Sequence, residues 1–161
     1  DREHTGPTTV TCLNDAQKFA FRPDEPCPSL PLWDGESDHR YLFEPNASVM
    51  KAGCHEHVAN RYGLVAVAHN SHLFLGDNPL PDFPGRTFII DERMPLTSSL
   101  LKRGLSGLAQ ANVTVRNYPM RTDQLRRRLR LKDGGDTYLF ATTAQNGRKW
   151  LFRCTKPIQH E

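Results

Sequence analysis

Residues 111–131 read Ala-Asn-Val-Thr-Val-Arg-Asn-Tyr-Pro-Met-Arg-Thr-Asp-Gln-Leu-Arg-Arg-Arg-Leu-Arg-Leu, and the change of period inside this stretch decides the fold. Val113 and Val115 fall on one face, Thr114, Arg116 and Tyr118 on the other, which is the two-residue period of a strand. After Pro119 the period lengthens. Thr122 is placed to cap a helix running to about Leu131, in which Leu125 and Leu129 share one side at about 100° per residue. Upstream, Thr87–Ile90 is a strand, and Thr97 or Ser98 caps a helix carrying Leu100, Leu101, Leu105 and Leu108. Downstream, Asp133-Gly134-Gly135-Asp136 is expected to turn. Thr137–Thr143 and Lys149–Thr155 then form strands joined through Asn146-Gly147, a strong hairpin pair. The order β-α-β-α-β-β predicts an α+β fold with both helices on one sheet face.

The first half is less regular. Residues 1–8 are polar and expected to fray. Val10–Leu13 and Lys18–Phe21 are strands joined by Asn14–Gln17. Residues 22–39, with Pro23, Pro26, Pro28 and Pro31, form an extended connection. Tyr41–Phe43 is a strand leading to a helix capped by Asn46 and ended by Gly63, with Met50, Cys54, Val58 and Tyr62 as its apolar stripe. Val65–Ala68 and His72–Leu75 are two further strands. The run from Gly76 to Gly85, with three prolines, marks a domain boundary.

Charge divides the chain in the same way. Residues 100–156 hold 13 Lys or Arg against 3 Asp or Glu, whereas residues 1–99 hold 8 against 14, so a net charge of +3 conceals a dipolar molecule. A surface this positive attracts polyanions through long-range steering and counterion release. On the 122–131 helix, Arg127 and Arg130 lie opposite the leucines, with Arg126 and Arg128 on the flanks, and Asp123 is the acid within reach. Guanidinium presents a planar donor fork that fits phosphate. The phosphate contacts expected from this pattern are Arg116, Arg126, Arg127, Arg130, Lys132, Arg148 and Lys149, with Tyr118 as a stacking surface for a base.

Other functions find little support. No apolar run approaches the roughly 20 residues that span a bilayer, and no secretory signal opens the chain. The four scattered cysteines are expected to be reduced thiols in a cytoplasmic protein. The first residue is Asp1 rather than Met, as expected of a processed or excised chain. Cys54-His55-Glu56-His57 and His69-x-x-His72 invite a metal reading, but their spacing lacks the paired ligands of a zinc site, so no metal is expected. There is no G-x-S-x-G elbow, Walker A loop or G-x-G-x-x-G. The adjacent acids Asp24/Glu25 and Asp91/Glu92 would point apart on a strand. No catalytic residue is identified, and a hydrolase using His55, His57 or His72 is disfavoured.

Five stretches read together carry a resemblance: Tyr41-Leu-Phe-Glu-Pro-Asn-Ala-Ser-Val-Met-Lys-Ala-Gly53, Phe83-Pro-Gly-Arg-Thr-Phe88, Ala111 to Pro119, Leu125 to Asp136, and Tyr138-Leu-Phe-Ala-Thr-Thr143. Together the chain from about residue 10 to 158 resembles the C-terminal portion of a bacterial, Bacteroidetes-type family of class I SAM-dependent methyltransferases. The resemblance implies two small two-layer α/β sandwich domains, ferredoxin-like over about 9–82 and THUMP-like over about 83–158. It also implies a methyltransferase domain N-terminal in the same polypeptide. S-adenosylmethionine would bind there and not here, since neither the glycine-rich SAM loop nor the Asn/Asp-Pro-Pro-type motif is present. THUMP domains are RNA-binding modules, so the implied partner is structured RNA such as transfer or ribosomal RNA. The competing expectation is an interaction region whose basic face docks on an acidic surface, either residues 1–99, with Asp24 to Asp38 as the obvious acidic segment, or the methyltransferase domain, without nucleic acid.

Overall fold

The computed structural model of the chain describes residues 8–158, so the frayed end expected at residues 1–8 lies, except for Thr8, outside the described residues. In chain order the elements are β1 (Val10–Asn14), β2 (Gln17–Phe21), β3 (Tyr41–Pro45), α1 (Ala47–Ala52), α2 (His55–Tyr62), β4 (Val65–Ala66), β5 (Phe74–Gly76), β6 (Gly85–Pro95), α3 (Ser98–Arg103), β7 (Gln110–Arg116), α4 (Thr122–Arg128), β8 (Lys132–Thr143) and β9 (Lys149–Thr155). β1 and β2 form a hairpin of their own. The other strands make one sheet in the order β4-β5-β3-β6-β9-β8-β7. The basic half follows the expected β-α-β-α-β-β order. Its α4 is the crossover between β7 and β8, the one parallel pair of strands in this sheet among the described residues.

Two local expectations are corrected. The single helix expected from Asn46 to Gly63 is two helices. Asn46 does cap α1, its side chain accepting from Val49 N, but Gly53 adopts φ 65 and ends that helix, and α2 starts afresh after Cys54. Most side chains disfavour this left-handed conformation, so a glycine immediately before Cys54 is a natural stop. Val49 rather than Met50 is the residue α1 buries. The second correction concerns Asp133–Asp136. These residues lie within β8 as a bulge: Asp133 stands opposite Ala111, Tyr138 opposite the next residue Asn112, and Gly134 and Gly135 take φ 114 and 84. Asn112 Nδ2 donates to the carbonyls of Gly135 and Thr137 at 2.8 and 3.3 Å, holding the bulge against β7.

Alternation along β8 and β9 then builds cores on both faces of the sheet. Leu139, Ala141 and Leu151 face α3 and α4, where Leu100, Leu125 and Leu129 are buried. Phe140, Trp150, Phe152 and Cys154 face the other way and join Trp33, Leu42, Leu75 and Phe88. A third cluster, including Phe43, Val49, Val58 and Phe83, lies under α1, α2 and the β1–β2 hairpin. Each fully buried Leu or Phe contributes about 1.5–3 kcal/mol, so this packing rather than the short helices stabilises the fold.

The sheet is strongly curled. The Phe88 ring on β6 lies 4.9 Å from those of Tyr138 and Phe140 on β8, across the intervening β9. Glu44 on β3 reaches Arg116 on β7, although three strands separate them in the sheet order. The stretch 76–85 passes from β5 to β6, and its Phe83 packs on Phe43 with ring centroids 5.0 Å apart. β3 pairs with β5 on one side and with β6 on the other, so a single sheet runs through both halves of the chain.

Candidate nucleic-acid interface

The basic helix forms slightly differently from its sequence expectation. Arg121, extended at φ −74 and ψ 154, is the N-cap in place of Thr122, and Gln124 Oε1 reaches back to accept from its N–H. The helix stops at Arg128. Leu129 closes it, and Arg130 turns out of it with φ 60. Leu125 and Leu129, both essentially fully buried, anchor one side on the sheet, which leaves the arginines on the outer side.

Each cation then has a particular setting. Arg127 donates to Asp123 Oδ2 at 3.1 Å, and Arg121 lies 3.7 Å from the other carboxylate oxygen, so one acid faces two guanidiniums. Arg126 donates to the Leu131 carbonyl at 3.2 Å and Arg130 to the Lys102 carbonyl at 3.0 Å, closing the ends of α4 and α3. Arg128, which sequence reasoning placed only on the helix flank, makes no hydrogen bond or ion pair among the described residues. With Arg127, Gln124, Met120 and Pro119 it lines a concavity of about 470 Å³. Lys132 and Lys149 are exposed. Arg148 lies apart from α4, its guanidinium 4.5 Å from the centre of the Trp150 ring.

Arg116 and Tyr118 were expected on one face, and the structure separates them. Asn117 between them adopts φ 57, which breaks the strand alternation. Tyr118 therefore packs beside α4. Burial raises its hydroxyl pKa, and Arg128 opposes that rise. Arg116 turns to the other face, where its Nη2 lies 3.4 Å from Glu44 Oε2 and its Nε is buried without a partner. Glu44 is only 5% exposed and also accepts from Arg86 Nε and Nη2 at 3.0 and 2.6 Å. Nothing near Arg116 in sequence announced this partner, which is 72 residues away.

The histidines do not gather a metal site. Among the described residues no three His, Cys, Asp or Glu side chains converge in that way. His57 stacks against Phe21, with ring centroids 4.9 Å apart. His55 Nε2 and His72 Nδ1 approach to 3.0 Å, a distance that needs one proton between them. Burial, then the facing His72, lowers the His55 pKa; burial, then Arg116, lowers that of His72. All four cysteines are free, and burial, together with neighbouring Cys12, pushes the Cys54 thiol up to about 12. Asp123 is the one acid paired with the cations of the α4 region among the described residues, and none of those cations pairs with the acidic 24–38 segment.

Comparison with known proteins accords with this architecture. Residues 85–156 match the family described as THUMP domain-like, and residues 41–84 match a ferredoxin-like domain family. No curated protein matches the sequence. The crystal structure of a candidate methyltransferase from Porphyromonas gingivalis W83 superposes with a TM-score of 0.84 at 34% identity, over 93% of this chain and 38% of that one. The chain thus spans well under half of that relative's length. By sequence and by fold, it carries a ferredoxin-like domain followed by a THUMP domain-like one.

Proposed function

We propose that this chain is the RNA-recognition region of a SAM-dependent RNA methyltransferase whose catalytic domain lies in another part of the same polypeptide. The observation that carries this reading is the outer side of α4, with five arginines, Arg121, Arg126, Arg127, Arg128 and the adjacent Arg130. They are met by one paired carboxylate among the described residues, that of Asp123, which engages only Arg121 and Arg127. A phosphodiester backbone supplies the missing negative charge, and counterion release favours its binding. The phosphate contacts on this reading are Arg126, Arg127, Arg128, Arg130 and Lys132, with Tyr118 and Met120 beside them as apolar surface for a base. Arg116 is engaged by Glu44, Arg148 lies over Trp150, and Lys149 adjoins it, so these three stand outside the set. On this reading S-adenosylmethionine binds in the other part of the protein, and no step of methyl transfer is assigned to this chain.

The test is a fluorescence titration with transfer RNA and ribosomal RNA fragments at about 50 and 200 mM salt, beside an Arg127→Glu/Arg128→Glu variant. Five phosphate contacts lose roughly five-hundredfold in affinity across that range. Salt-sensitive binding that the variant loses supports RNA recognition. Absence of binding at either salt refutes it and favours docking on the methyltransferase domain.

A further inference from the structure

The unpaired positive charge continues beyond α4. The last turn of α3, β6 and β9 enclose a second concavity of about 450 Å³, lined by Arg103 and Arg153 with Glu92, Met94, Leu100 and Leu105. Arg103 is exposed, and Arg153 is half-buried on the same sheet side as Leu151. Neither guanidinium forms an ion pair or hydrogen bond among the described residues. Glu92 stands opposite Arg153 in the β6–β9 register yet stays outside ion-pair contact. A cation in the last turn of a helix is explained by the helix dipole, which accounts for Lys102 and Arg103. That account does not reach Arg153, which sits on a strand. Partly burying a charge without a partner is costly.

Between the two concavities the ends of α3 and α4 lie against each other. Arg130 donates to the Lys102 carbonyl, and the backbone of Gly104 closes on the Leu129 carbonyl, where an added Cβ would come within 3.3 Å. The ends of α3 and α4 therefore meet, and a basic belt runs from Arg128 through Arg130 and Lys102 to Arg103 and Arg153. We infer that the RNA backbone follows this belt and that Arg103 and Arg153 each hold one phosphate at its far end, over the apolar floor of Met94, Leu100 and Leu105. This rests on the RNA reading above.

The 161-residue chain and its Arg103→Glu/Arg153→Glu variant are titrated with the same transfer RNA between about 50 and 200 mM salt, with Arg22→Glu as the charge control. Loss of two phosphate contacts flattens the slope of log affinity against log salt by about 1.4–1.8 in the double variant, while Arg22→Glu leaves the slope unchanged. Arg103→Glu alone, at an exposed position, flattens it by about half as much and serves if the double variant does not fold. A salt-sensitive wild type whose slope these variants keep overturns the second phosphate site and leaves the α4 reading standing. A wild type that binds no RNA overturns both. Variants that bind RNA normally but lose association with the separately produced methyltransferase part make this a docking surface, which also overturns the inference.

Discussion

Glu44 holds together two strands that the sheet order keeps apart, and substitutions around it carry a definite ranking of costs. The carboxylate is nearly inaccessible, whereas the side chains of Arg86 and Arg116 are 47% and 34% exposed. Arg86→Ala removes both short hydrogen bonds and leaves the buried charge with a single 3.4 Å contact. Stripping a partner from a buried ion pair costs about 3–5 kcal/mol. Here water can enter the space vacated by the half-exposed arginine, which reduces the expected loss to about 2–3 kcal/mol. Glu44→Gln instead leaves two cations that can turn to solvent, for a loss of about 1 kcal/mol, and Arg116→Ala falls in the same range. Urea unfolding followed by the fluorescence of buried Trp33 and Trp150 reads these differences as shifts in midpoint at constant slope. In a heat scan, Arg86→Ala would lower Tm by roughly 5–10 °C. Arg116→Ala should also leave the salt dependence of RNA binding untouched. A smaller loss for Arg86→Ala than for Glu44→Gln would refute the reasoning, as would an Arg116→Ala slope as flat as that of Arg127→Glu/Arg128→Glu.

Two further outcomes follow from the packing. The His55–His72 pair has lowered pKa values in the folded chain, with Glu56 favouring charge on His55 and Arg116 opposing it on His72. The unfolded chain then takes up protons first as pH drops below about 6.5, so stability present above that pH declines through the folded values. Urea midpoints measured from pH 8 to 5 should fall, and His55→Gln/His72→Gln should flatten the profile; an equally steep profile in the variant would exclude this pair as its source. At Gly85 an added Cβ would lie 2.1 Å from the Glu44 carbonyl oxygen. Backbone cannot yield there as a side chain would, so Gly85→Ala should separate β3 from β6 and give a chain that is insoluble or melts far below wild type. A Gly85→Ala melting curve that matches wild type would contradict this junction.

What the sequence determined by itself was everything set by near neighbours. The alternation of β8 and β9, the Asn146-Gly147 hairpin, the Asn46 cap and the leucine side of α4 each follow from residues a few positions apart, and the basic and acidic halves follow from composition. Even locally, a period of four in Met50, Cys54, Val58 and Tyr62 suits one helix or two, and only the conformation of Gly53 separates them. The glycine pair at 134–135 is likewise compatible with a turn or a bulge. Pairing with β7 makes it a bulge, because the parallel ladder resumes at Tyr138. The fate of each arginine was a tertiary matter. Arg116 and Arg128 are alike in type and both lie in basic surroundings. One is drawn to a buried carboxylate 72 residues away by the curl of the sheet, and the other is left unpaired beside Tyr118. Ion-pair partners depend on which strands the fold brings together. That order is set by burial summed over three cores, and no single segment carries it.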